Sequence, residues 1–157
     1  MIVNKRRQKE RRKSARITLS LPLTFQLIKK TNKKKITSKL KGQSIDFSEA
    51  GICMETNNVI ADGLHVLTEG MDINNLLAVE IFLPKESITL TCYTTVQRYD
   101  LASENAGRRL RVYLEIIEIE PKSQKKWCQL FPREKDIKNQ FTSFLNGLPH
   151  HIKIGKN

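Results

Sequence analysis

The sequence predicts a mainly β protein, an antiparallel barrel of six strands followed by a C-terminal helix or helices. Apolar and polar residues alternate through successive segments, the period of a strand with one buried face. The connections between those segments are short and polar, with Lys, Asp, Gly and Pro as punctuation. Helical spacing of apolar residues begins only after Pro121. A chain of 157 residues is enough for one domain with a real core, and a meander of this length closes most simply into a barrel.

The first strand is the clearest. Ile17, Leu19, Leu21, Leu23, Phe25 and Leu27 occupy every second position, so one long strand is expected, with Pro22 on its outward face at an edge or a bulge. Lys29 to Lys35 reads as a polar, soluble turn, Ile36 to Ile45 as the returning strand, and Gly51 to Thr56 as the third. Residues 57–75 read as irregular, with Asp62-Gly63 and Glu69-Gly70 as turn signals. Leu76 to Leu83 is a strand closed by Pro84; Ile88 to Tyr99 and Leu110 to Ile119 alternate as a further pair across a polar loop. Pro121 ends the strands. Trp127, Leu130 and Phe131 then suit a short amphipathic helix, and Ile137, Phe141, Phe144 and Leu145 a second. The expected organisation is a flexible basic arm over 1–11, the barrel over 12–120 and a helical segment over 121–157.

Charge is unevenly placed. Residues 1–42 carry 15 Lys and Arg against one acid, Glu10, whereas the remainder is close to neutral. A basic front end on a neutral body points to a polyanionic partner. Cys53, Cys92 and Cys128 form no Cys-x-x-Cys pair and read as reduced thiols. No segment is long and apolar enough for a membrane span, and the basic start has no apolar stretch behind it, so a soluble, cytoplasmic protein is expected. His65, His150 and His151 lack partners at ligand spacing, so no metal is expected. No nucleophile–base constellation suggests an enzyme.

Two short motifs carry the chemistry. Arg12-Lys13-Ser14-Ala15-Arg16 places two guanidinium forks four residues apart, about 13 Å in an extended arm. Arginine binds phosphate and the O6/N7 edge of guanine bidentately. Asp46-Phe47-Ser48-Glu49-Ala50-Gly51 places a carboxylate and a hydroxyl two apart at a strand end. The carboxylate suits the N1–H and amino donors of guanine, and the hydroxyl suits phosphate or its own turn. Gly51 is expected to supply a positive φ and a close backbone approach. The pair makes a site for an anionic guanine nucleotide, with no catalytic group.

Arg-x-x-x-Arg before the first barrel strand, followed by Asp-x-Ser-x-x-Gly after the second, resembles the signature of PilZ domains, bacterial receptors for cyclic di-GMP. The resemblance spans roughly residues 10–120 and implies a six-stranded barrel with a C-terminal helix. It also implies cyclic di-GMP as ligand on Arg12, Arg16, Asp46, Ser48 and Gly51, with no cofactor and with an effector protein downstream. In the family, an arginine directly before the motif, here Arg11, goes with binding an intercalated pair of nucleotides. The chain departs from the family in the last strand, where Arg111-Val112-Tyr113-Leu114 lacks the glycine often found before an aromatic. Two other readings compete: a small basic barrel that binds RNA or DNA, and a PilZ-like adaptor that works through protein contacts without nucleotide. Aromatic residues interleave poorly with Lys29–Lys35, which argues against a stacking platform for single strands.

Overall fold

The structure, a computed structural model, describes residues 16–102 and 109–131. Strands β1 (Ile17–Thr18), β2 (Pro22–Lys29), β3 (Leu40–Phe47) and β4 (Gly51–Thr56) come first. A small hairpin of β5 (Ile60–Ala61) and β6 (Leu64–His65) follows, then the single turn α1 (Val66–Glu69). Strands β7 (Asn75–Leu83), β8 (Ile88–Leu101) and β9 (Leu110–Ile119) lead into helix α2 (Pro121–Leu130). The antiparallel ring β2–β3–β4–β9–β8–β7 closes on β2, so the expected six-stranded barrel is present and its main strands have partners on both sides.

Alternation explains the packing. Inward-facing Phe25, Leu27, Met54, Leu77, Val79 and Val112 are all but inaccessible to solvent. Val66 and Leu67 of α1 join the same core, so residues 57–75, expected as irregular, contain a hairpin and a buried helical turn. His65 is structural: its Nδ1 accepts from Thr68 N–H at 3.1 Å, which caps α1. Pro121 both ends the strands and opens α2, at a position where a missing N–H costs nothing. Helix α2 is tied to the barrel by Ser123, whose Oγ accepts from Thr91 N–H at 2.9 Å, and by Trp127, which packs against Phe47. The second helix expected around Phe141 lies outside the described residues. The lysine-rich turn is more than a solvated tip: Lys33 folds back onto the barrel wall, with Nζ 2.9 Å from Glu118 and 4.2 Å from the Tyr93 ring centroid.

The long first strand is broken, and Ser44 is the reason. Residues 19–21 leave the ladder between β1 and β2. Buried Ser44 of β3 accepts from Leu21 N–H at 2.8 Å and donates to Leu19 carbonyl at 2.5 Å. Its hydroxyl thus satisfies backbone groups that a continuous ladder would have paired. Pro22, as the first residue of β2, has no ladder donor to lose. We expect Ser44→Ala to lower stability by about 1–3 kcal/mol, because it leaves the buried Leu21 N–H unpaired and removes the partner of the more exposed Leu19 carbonyl. Urea denaturation measures this directly.

Candidate functional site

The two halves of the Asp-x-Ser-x-x-Gly segment are set by different devices. Between Ser44 and Asp46 the register of β3 against β4 shifts, so Ile45 is an extra residue and Asp46 stands opposite Cys53. Such a bulge bends the strand and re-aims the next side chain. The turn that follows is closed by Ser48 N–H donating to Gly51 carbonyl at 2.9 Å and by Ala50 N–H donating to Ser48 Oγ at 3.3 Å. Ser48 therefore serves its own turn while its hydroxyl proton stays available to a ligand.

Strand β1 brings the arm to this turn. Ile17 pairs with Phe47 and Thr18 with Asp46; the same register carried back one residue sets Arg16 beside Ser48. Arg16, Asp46, Ser48, Gly51, Cys53 and Tyr113 together line a recess of about 160 Å³. Four of the six sequence-predicted residues thus meet in one place. Arg11 and Arg12 lie outside the described residues. A recess this small holds part of a dinucleotide, not the whole, since sites for drug-sized ligands run to roughly 300–1,000 Å³.

Gly51 corrects one expectation. Among the described glycines only Gly63 has a positive φ, so Gly51 is not needed for a left-handed turn. It is needed for space: a Cβ there would lie 2.9 Å from the carbonyl oxygen of Leu114 on β9. Gly51→Ala is expected to push β4 from β9 and to cost about 1–3 kcal/mol, read as a lower thermal midpoint.

Cys53 and Tyr113 were not singled out in the sequence as site residues. Tyr113 sits opposite Cys53 across the β4–β9 pair, and a register of this kind cannot be read from spacing within one strand. Burial, reinforced by the nearby Asp46 carboxylate, pushes the Cys53 thiol up to about 11, and burial alone pushes Cys92 up to about 12. Both thiols hold their protons more tightly in the folded chain. The stability this adds is complete below the ordinary thiol value of 9.0 and is lost as pH rises from there through about 11 to 12. At neutral pH a maleimide is expected to label exposed Cys128 rapidly, Cys53 in the recess wall more slowly, and core Cys92 only on unfolding. Mass spectrometry of the native and urea-treated protein checks this.

Larger clefts lie elsewhere. One of about 460 Å³, toward the other end of β3 and β4, is lined by Lys39, Lys41, Gln43, Glu55, Asn58 and Arg109 among others. It is cationic and amide-rich, and it too has a carboxylate, a hydroxyl and an arginine in Glu55, Thr56 and Arg109. Its carboxylate is already paired with Arg111 at 3.5 Å, whereas Asp46 of the smaller recess has no such partner among the described residues. Among the described residues no cluster of His, Cys, Asp or Glu could hold a metal ion. No helix of the described residues is long and apolar enough to cross a membrane.

No protein-family model matches the chain, and no curated protein matches it. Several solved structures are similar, among them the following two. The Bacillus subtilis inhibitor of motility (MotI/DgrA) is 20% identical, with a TM-score of 0.51 over 83% of this chain and 52% of its own. The PilZ domain, with c-di-GMP, of YcgR from Escherichia coli is 14% identical, with a TM-score of 0.45 over 88% of this chain and 99% of that domain. The chain spans about half the length of the motility inhibitor, and at this identity the likeness concerns the fold alone. With the closed ring and the helix after its last strand, the chain has a PilZ-type barrel fold.

Proposed function

We propose that this chain is a cyclic di-GMP receptor module with no catalytic step of its own. The observation that carries this reading is the convergence of Arg16, Asp46, Ser48 and Gly51 on one recess, from segments separated by an entire barrel strand. The Asp46 carboxylate accepts from guanine N1–H and its amino group, while Arg16 offers a planar fork to phosphate or to the Hoogsteen edge. Arg12 and Arg11 extend the same charge along the arm. Two phosphates repay the arm for the freedom it loses in crossing the rim. The resulting change in arm position is what an effector protein reads, in the cytoplasm of a bacterium. Arg11 favours an intercalated pair of nucleotides, which presents four phosphates.

Calorimetric titration tests this. Cyclic di-GMP is expected to bind with saturation, and GTP and linear pGpG far more weakly; equal affinity for all three contradicts the proposal. One observation favours a different class. The cationic cleft with Lys39, Lys41 and Arg109, taken with the basic front end, suits RNA or DNA. That reading predicts affinity for an oligonucleotide that falls steeply with salt, with no preference for the cyclic ligand. A PilZ-like adaptor without nucleotide is the outcome if neither ligand binds. The Asp46 carboxylate and the Arg16 guanidinium in one recess would then have no ligand to serve.

A further inference from the structure

Residues directly opposite one another on paired strands share a face of the sheet. The registers of β3–β4, β4–β9 and β9–β8 string Asp46, Cys53, Tyr113 and Arg98 into a single transverse row. Their neighbours along the strands, Ile52, Met54, Val112 and Leu114, are core residues, so the row lies on the outer face of the barrel. Three strand spacings separate Asp46 from Arg98, about 14 Å along the sheet.

Both charged ends of this row owe their places to bulges. Ile45 is the extra residue before Asp46, and Gln97 is the extra residue between the pairs Val96–Leu114 and Arg98–Tyr113. In a regular ladder Gln97, not Arg98, would oppose Tyr113. The second bulge therefore sets the Arg98 guanidinium over the tyrosine, 4.0 Å from its ring centroid. Its nearest carboxylate among the described residues is Asp100, at a loose 3.8 Å, and the arginine side chain is 67% exposed. A guanidinium fixed by a ring and only weakly paired keeps most of its N–H donors for an incoming anion or acceptor edge. Tyr113 itself lines the recess that holds Asp46, so Arg98 stands at the margin of that recess.

We infer that the nucleotide footprint runs along this row and that Arg98 binds the half of cyclic di-GMP that the recess is too small to hold, with Tyr113 positioning its guanidinium. This rests on the cyclic di-GMP reading above and adds to it a binding residue outside both sequence motifs. The row explains how a recess of about 160 Å³ serves a ligand with two purines: one unit seats at Asp46, and the other lies across β9 toward β8. It also gives a use to the strand that departs from the PilZ pattern, since its tyrosine stands between the recess and the added guanidinium.

A double-mutant cycle tests the inference, with cyclic di-GMP titrated calorimetrically into wild type, Arg98→Gln, Tyr113→Leu, the double variant, Tyr113→Phe and Asp46→Ala. Thermal midpoints report whether each variant is folded. Arg98→Gln and Tyr113→Leu are each expected to weaken binding roughly tenfold, Tyr113→Phe to keep wild-type affinity, and the double variant to bind no worse than about the weaker single variant. Additive losses contradict the positioning role. Wild-type affinity in Arg98→Gln, with binding lost in Asp46→Ala, overturns the extended footprint and leaves the receptor reading intact. A wild-type protein that binds no cyclic di-GMP overturns both.

Discussion

Asp46→Ala is expected to weaken cyclic di-GMP binding by roughly ten- to a hundredfold, or about 1.5–3 kcal/mol, with little change in stability. The carboxylate is partly exposed beside the recess and makes no side-chain hydrogen bond or ion pair within the described residues, so folding loses little when it goes. The ligand loses more. Guanine N1–H and its amino group, both taken from water on binding, are left facing a methyl group. Asp46→Asn separates geometry from charge: the amide retains one acceptor oxygen but turns a donor toward the guanine donors, and an intermediate loss follows. Arg16→Ala is expected to cost a similar amount. Arg16→Lys recovers only part, because an ammonium keeps the charge and loses the fork. Calorimetry at fixed ionic strength checks all four, and wild-type affinity in both alanine variants contradicts the proposed site.

The second large effect is on stability. Trp127→Ala is expected to cost about 3–5 kcal/mol. Trp127 is 2% exposed and packs between Phe47, at a centroid distance of 6.3 Å, and Phe131, at 5.1 Å. Phe47 contacts Phe131 as well, at 6.3 Å edge to face, so the three rings form one cluster joining α2 to the end of β3. Nothing nearby fills the space of an indole once it is removed. Trp127→Phe isolates the packing component: it keeps a ring, and the indole N–H it deletes has no partner among the described residues. A loss well under half that of the alanine variant is expected in urea denaturation. Because Phe47 lies between Asp46 and Ser48 in sequence, the alanine variant is also expected to loosen the site. Cyclic di-GMP affinity falls even at temperatures where the barrel remains folded.

Local patterns made much of the barrel legible. Leu110 to Ile116 alternates through most of β9, up to a bulge at Ile117, and the strands expected from Leu76 and Ile88 differ from β7 and β8 by one or two residues. Ile17 to Leu27 alternates just as well and still divides into β1 and β2. The cause, a serine hydroxyl on β3 that takes the place of ladder partners, leaves no mark within residues 17–27. The returning strand was expected from Ile36, whereas the chain first bridges to Ile28 through Lys35 and joins β3 only at Leu40.

The same division holds at the site. Arg16, Asp46, Ser48 and Gly51 are recognisable because the chemistry lies in short, fixed spacings. Cys53, Tyr113 and Arg98 become neighbours only through three strand registers and two bulges, which no single segment encodes. Of the two properties expected of Gly51, the close backbone approach is present and the positive φ is not. The Leu114 carbonyl that crowds it belongs to a strand more than sixty residues away.

Backbone amide chemical shifts recorded during a titration of the ¹⁵N-labelled wild-type chain with cyclic di-GMP test the central claim most directly. Saturable changes at Arg16–Thr18, at Asp46–Cys53 and at Tyr113 are the result the account predicts. Changes confined to Lys39–Gln43, Asn57, Asn58 and Arg109, the cationic cleft toward the other end of β3 and β4, would contradict it.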